Sequence, residues 1–210
     1  MDRYPYSVCW RPLKTAMEES TNTRCIDVLM PIKEGRFIPQ EVLEGLVRQN
    51  IPFRLWTSTA VSDGDYAKAR NHIKQYACSS SYSLMLDNDI ILPGGALSTM
   101  IAFLDIHADF AAVALRKQSS ISQKPSDPVI ADEPDHVDMS CVLFRTNELL
   151  ALNFAYPGGD PQTRQGCECL KACQDIRDAG KRIGFVRGIN AEHIQNTEKP
   201  RSARPRGDWR

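Results

Sequence analysis

The stretch Ser81-Tyr-Ser-Leu-Met-Leu-Asp87-Asn88-Asp89-Ile-Ile-Leu92 decides how this chain folds. Leu84, Met85, Leu86, Ile90, Ile91 and Leu92 bracket two aspartates one residue apart. Side chains alternate faces along an extended chain, so carboxylates at i and i+2 point the same way, and a strand end places both at the rim of a sheet. Two hard oxygen ligands there suit Mg²⁺ or Mn²⁺ carrying a diphosphate. An Asp-x-Asp in polar surroundings is usually a solvated turn. The apolar flanks argue for a buried strand, where an unpaired carboxylate is costly and a partner cation relieves the cost.

Working outward, Cys25-Ile-Asp-Val-Leu-Met30 is rich in strand formers and predicts a strand that stops at Pro31. Val42, Leu43, Leu46 and Val47 recur at helical spacing, and Phe53-Arg-Leu-Trp-Thr57 alternates as a second strand. Ala69, Ile73 and Ala77 predict a helix from about Tyr66 to Ala77 that leads into the aspartate-bearing strand. After Gly94-Gly95, Leu97, Ile101 and Leu104 mark a helix, and Phe110–Leu115 and Val137–Phe144 predict strands. A helix over Asn147–Asn153, a last helix over Cys167–Ala179 stopped by Gly180, and a short strand Ile183–Val186 complete the pattern, with His193 beyond it. Alternating strands and helices predict an α/β fold, a three-layer domain with a mainly parallel central sheet whose ligands bind beyond the carboxyl ends of the strands. Asp87 and Asp89 fall at such an end.

The whole chain is 210 residues, enough for one ordinary domain, with 26 basic and 26 acidic residues and seven cysteines. This balance does not call for nucleic acid as a partner. Charge breaks every apolar stretch before about 18 residues, and the N-terminus lacks the hydrophobic core of a signal peptide. The odd cysteine count without a framework suits a reducing compartment, so the chain reads as cytoplasmic. Residues 1–24 read as an N-terminal arm, 25–195 as the domain, and 196–210 as a basic disordered tail that offers a peripheral contact for phosphate or anionic lipid. The polar, proline-rich loop 118–136 reads equally as a lid or acceptor-binding segment and as simple disorder.

Several of these pieces stand in a familiar order. Ala69-Arg70-Asn71 precedes Leu84-Met-Leu-Asp87-Asn-Asp89, with Pro93 and Leu97 after it; Glu168, Cys173, Ile176, Arg177, Ala179-Gly180, Ile183 and His193 follow. In that order the chain resembles a family 2 type glycosyltransferase of the GT-A fold, over about Ile26 to His193. The resemblance implies that Asp87, Asp89 and His193 hold Mn²⁺ or Mg²⁺ against the diphosphate of a nucleotide-sugar donor. It also implies that Glu168 is the general base of an inverting transfer to a glycan or other hydroxyl acceptor. Pro31, Lys33, Arg70, Asn71, Asp87 and Asn88 would line the donor site. The chain departs from the family at Glu168-Cys169, where an acidic pair is usual, and at Thr57–Asp65, where Asp63 or Asp65 would have to read the base.

Other constellations carry less. Cys167-Glu-Cys169 with Cys173 lacks the second pair that structural zinc takes, so Cys169 and Cys173 read as core residues. Gly94-Gly95 lacks the lysine and hydroxyl of a phosphate loop. The alternatives to a transferase are a nucleotidyltransferase, which would need a glycine-rich basic loop near the N-terminus, and a non-catalytic relative that binds nucleotide sugar or glycan.

Overall fold

Alternation along the strands sorts apolar side chains onto two faces of one sheet, and helices pack on each face. The computed structural model describes residues 7–10, 25–33, 36–61, 65–77, 80–118, 136–157 and 167–194. Its strands are β1 (Ser7–Trp10), β2 (Ile26–Lys33), β3 (Phe53–Val61), β4 (Tyr82–Leu86), β5 (Ile90–Ile91), β6 (Phe110–Gln118), β7 (Cys141–Arg145) and β8 (Arg182–His193). Its helices are α1 (Gln40–Val47), α2 (Tyr66–Ile73), α3 (Ala96–Ile106), α4 (Thr146–Ala151) and α5 (Glu168–Asp178). Ile26, Val28, Met30, Leu84 and Leu86 join one apolar cluster with Val42 and Leu46 of α1 and Leu97, Met100 and Leu104 of α3. Leu29, Met85 and Phe144 join the other, with Ile73 of α2, Leu149 of α4 and Cys173 and Ile176 of α5. All five residues of β4 are buried, which is why its sequence is almost continuously apolar.

The strand order is β1-β3-β2-β4-β7-β6-β8-β5. β2 is parallel to β3 and β4, and β6 is parallel to β8. β7 runs antiparallel between β4 and β6, and β1 and β5 are antiparallel at the two edges. The five strands β2, β3, β4, β6 and β8 therefore point one way, and the sheet is mixed rather than uniformly parallel. An apolar strand covered on both faces reads the same in either direction, so sequence did not reveal that β7 is reversed.

Element boundaries differ from the sequence expectations for physical reasons. β2 does not stop at Pro31 but continues to Lys33. Proline is tolerated there because β4 pairs β2 only as far as Leu29, and the pairing with β3 shifts register between Pro31 and Lys33. β4 ends at Leu86, just before Asp87, and a turn through the aspartates separates it from β5. β8 is far longer than Ile183–Val186, and His193 is its last residue rather than part of a following loop. Its pairing with β6 shifts register between Ala114 and Arg116, and Gly188 on β8 has φ 79°. These irregularities erase the period-two pattern beyond Val186. β1 pairs with β3 from Ser7–Trp56 to Trp10–Phe53, so the stretch read as an arm supplies an edge strand. The tail 196–210, residues 119–135 of the long loop, and Asp63 lie outside the described residues.

Two buried polar side chains tie neighbouring elements together. Asp27, fully buried on β2, accepts from Arg54 Nη2 at 3.0 Å and from Trp56 Nε1 at 2.9 Å, both on β3. Gln49 donates to Pro93 O at 2.9 Å and accepts from Leu97 N at 3.0 Å, tying the end of α1 to the start of α3. Gly45 lets α1 sit directly on β5: a Cβ there would lie 3.1 Å from Leu92 N and 3.3 Å from Leu92 O. Among the described residues, no helix is long and apolar enough to cross a membrane.

Asp27→Ala leaves the Trp56 indole N–H and the Arg54 guanidinium without their buried acceptor. The expected loss, read from urea unfolding, is about 3 kcal/mol.

Candidate functional site

The site is built around a guanidinium with almost no access to water. Asp65 starts α2 by accepting from Lys68 N at 3.0 Å, and this sets which helix face turns inward. Arg70 lies on that face with its side chain 3% exposed. Its Nη1 donates to Glu168 Oε1 at 2.5 Å, and its Nη2 donates to Asp87 Oδ1 at 3.0 Å and to Met139 O at 3.4 Å. Tyr66, one turn earlier, places its ring centre 5.5 Å from the guanidinium carbon.

Asp87 leaves the end of β4, where its N–H bonds Ser140 O at 2.8 Å on the segment entering β7. Ile90 N returns to Asp87 O at 3.3 Å, closing the turn. β5 then pairs with the end of β8, with Ile90 opposite His193, and Ile194 N bonds Asp89 O at 2.8 Å. His193 Nε2 consequently lies 3.2 Å from Asp89 Oδ2. Glu168 opens α5 and is buried there.

Electrostatics mark this cluster. Burial pushes the Asp87 carboxyl up to about 6; Arg70 opposes the shift, while Asp138 and Asp89 add to it. Burial works against the charge on Arg70, but Asp87 and Glu168 overcome it, so its pKa is raised. The Tyr66 phenol is also raised, by burial and then by Asp87. Lys117, near the end of β6, pairs with Asp138 at 2.6 Å. Burial opposes both ionised forms, but their hydrogen bond holds Lys117 up and Asp138 down. Arg70 feels the carboxyls of Asp87, Glu168 and Asp138, and Lys117 feels those of Asp138, Asp87 and Asp89, so acids outnumber these two cations. Such an acidic excess suits a divalent cation.

The donor atoms of Asp87, Asp89 and His193 form a looser set than three ligand atoms within 4.8 Å of one another. Mg²⁺ is usually held through one or two carboxylates and completed by substrate phosphates, and Asp87 and Asp89 are the residues here that could supply them.

The structure brings together Arg70, Asp87, Asp89, Glu168 and His193 and leaves other candidates aside. Asn71 spends both ends of its amide on Phe154, donating to O at 2.6 Å and accepting from N at 3.0 Å. It fastens α2 to the chain after α4. Asn88 Nδ2 bonds Phe37 O at 2.9 Å. Pro31 is buried in β2, and the side chain of Lys33 lies outside the described residues. Asp65 caps α2. Tyr66, Lys117 and Asp138 are additions that sequence reasoning missed. A charged residue near the carboxyl end of an apolar strand, as at Lys117, was the available signal.

No protein-family model and no curated protein sequence matches the chain. Its fold is that of solved structures with little sequence in common. The mannosyltransferase PcManGT from Pyrobaculum calidifontis, in complex with GDP-Man and Mn2+, superposes with a TM-score of 0.58 at 15% identity, covering 82% of this chain and 58% of that one. S. aureus TarS 1-349, in complex with UDP-GlcNAc, gives 0.57 at 13% identity, covering 83% and 59%. The chain thus spans less than two thirds of either.

The Asp87 shift has a definite sign. Its folded midpoint of about 6 exceeds the ordinary 3.8, so the folded protein holds this proton more tightly than the unfolded chain does. The stability this contributes is complete below 3.8 and is lost as pH rises through about 6. Urea midpoints across that interval are expected to fall more steeply for the wild type than for Asp87→Asn. Carboxyl NMR should place the Asp87 midpoint well above those of exposed aspartates.

Proposed function

We propose that this chain is a metal-dependent glycosyltransferase with the three-layer GT-A architecture, of family 2 type, that transfers a sugar from a nucleotide-diphosphate donor to a hydroxyl acceptor with inversion. The observation that carries the reading is the buried Arg70 bonded to both Asp87 and Glu168 beside the Asp89–His193 pair. One guanidinium thereby couples the acid proposed for the donor side to the acid proposed for the acceptor side.

In this reading Asp87, Asp89 and His193 hold Mn²⁺ or Mg²⁺, which when bound stabilises negative charge developing on the leaving diphosphate. The acceptor oxygen bonds to the anomeric carbon as the bond to the diphosphate oxygen breaks. The bonding pair leaves with the nucleoside diphosphate. Glu168 takes the acceptor proton. Arg70 and Cys169 both contact Oε1 of Glu168, so the reading assigns proton removal to Oε2. Arg70 holds Glu168 and Asp87 in fixed relation. The acidic site favours a donor that arrives with its cation over a bare diphosphate. PcManGT with GDP-Man and Mn2+ and TarS with UDP-GlcNAc support a nucleotide-sugar donor.

A panel of nucleotide sugars with Mn²⁺, read by nucleoside diphosphate release, tests the reading. Glu168→Gln is expected to lower transfer by about 10²–10⁴-fold while leaving thermal stabilisation by UDP or GDP with Mn²⁺ intact. Asp87→Asn with Asp89→Asn should abolish that stabilisation. Mn²⁺ affinity should fall about tenfold per pH unit below about 6, where Asp87 takes up its proton. Nucleotide-sugar binding without release by the wild type would assign the chain to the binders instead. Full activity in Glu168→Gln would remove Glu168 as the base.

A further inference from the structure

We infer that His136, Cys167 and Cys169 form a second cation site, for a thiophilic divalent ion of the zinc class, separate from the oxygen-rich site at Asp87 and Asp89. Their ligand atoms all lie within 4.8 Å of one another, and Cys167 Sγ is 2.9 Å from His136 Nε2. Tetrahedral zinc with Zn–S near 2.3 Å and Zn–N near 2.0–2.1 Å sets its ligand atoms roughly 3.5–3.8 Å apart. Small side-chain rotations bring the three to that spacing.

The ligands come from two segments brought together only by folding: the chain leading into β7, and the start of α5. A second tie already holds these segments in place. The Cys173 thiol, also on α5, accepts from Val137 N at 3.4 Å and donates to Val137 O at 3.7 Å. Two thiolates neutralise a divalent ion, and an imidazole adds a third donor without adding charge. This soft set rejects Mg²⁺, which the carboxylates of the other site prefer.

Cys169 is buried, whereas His136 is exposed and Cys167 partly so. The fourth coordination position therefore opens toward solvent, where water completes the tetrahedron. Binding requires both sulfurs as thiolates, so Cys169 gives up the proton that its Sγ directs at Glu168 Oε1 over 3.6 Å. An ion here fastens the first turn of α5, and with it Glu168, to the segment that enters β7.

Cobalt titration of the full chain, reduced and stripped of metal, reads the site directly. The wild type is expected to bind one equivalent with thiolate-to-cobalt charge-transfer bands and tetrahedral ligand-field bands, and Zn²⁺ should bleach both. Losing a direct ligand should weaken binding by at least the about 10–100-fold that an outer partner is worth. Cys167→Ser, Cys169→Ser and His136→Ala should each show that loss. His136 is exposed, so His136→Ala should melt as the metal-free wild type does and keeps the test valid if a cysteine variant fails to fold. Asp87→Asn with Asp89→Asn should keep the bands, which separates this site from the proposed donor site. Absence of charge-transfer bands in the wild type, or their survival in Cys167→Ser with Cys169→Ser, overturns the assignment.

Discussion

The structure depends on the need of one buried cation for two anions. Arg70 has a side chain only 3% exposed, so water cannot replace Asp87 or Glu168 as partner. A guanidinium left alone in such a place would cost several kcal/mol. Three elements that are distant in sequence are therefore held in one relation: α2 carries Arg70, the end of β4 carries Asp87, and the first turn of α5 carries Glu168. Met139 O adds the segment before β7 to the same centre.

This constraint explains the chemistry around it. Asp87 sits where burial favours its neutral form and Arg70 favours its charged form, and burial prevails. Asp89 lies toward solvent beside His193. Lys117 and Asp138 form a second pair near the first, so the cluster gains charges of both signs but remains acidic. Such a cluster is poorly suited to a bare anion and well suited to a hard divalent cation with an anionic ligand. The sulfur and imidazole donors at the start of α5 are chemically distinct from it, although Cys169 touches Glu168. Two kinds of donor set thus meet at one helix terminus.

Much of the frame was legible because burial writes itself into local pattern. Leu84-Met85-Leu86 announced a strand covered on both faces, and β4 is one. The spacing of Ala69 and Ile73 identified the buried face of α2. Other features left no local mark. Ser7–Trp10 resembles its polar and aromatic surroundings, and only pairing with β3 makes it a strand. β8 outruns its apolar pattern because partners on β6 and β5 continue past Val186. Asn71 looked like a ligand because it follows Arg70, yet helical rotation by one residue turns it to the Phe154 backbone.

The sequence by itself determined an α/β chain, the place of its aspartate pair between apolar runs, and the candidacy of Arg70, Glu168 and His193. The first two follow from spacing along the chain, which sets periodicity, turns and the face a side chain takes; the last rests on the resemblance of the motif order to that of a known family. Only the tertiary structure decided that Arg70 bridges Asp87 and Glu168, that His193 pairs with Asp89 through the β5–β8 ladder, and that His136 meets Cys167. Each of these contacts joins residues at least 17 apart. Such pairs are chosen by packing and by the cost of burying a charge unpaired, and neither quantity is defined until the chain has closed on itself.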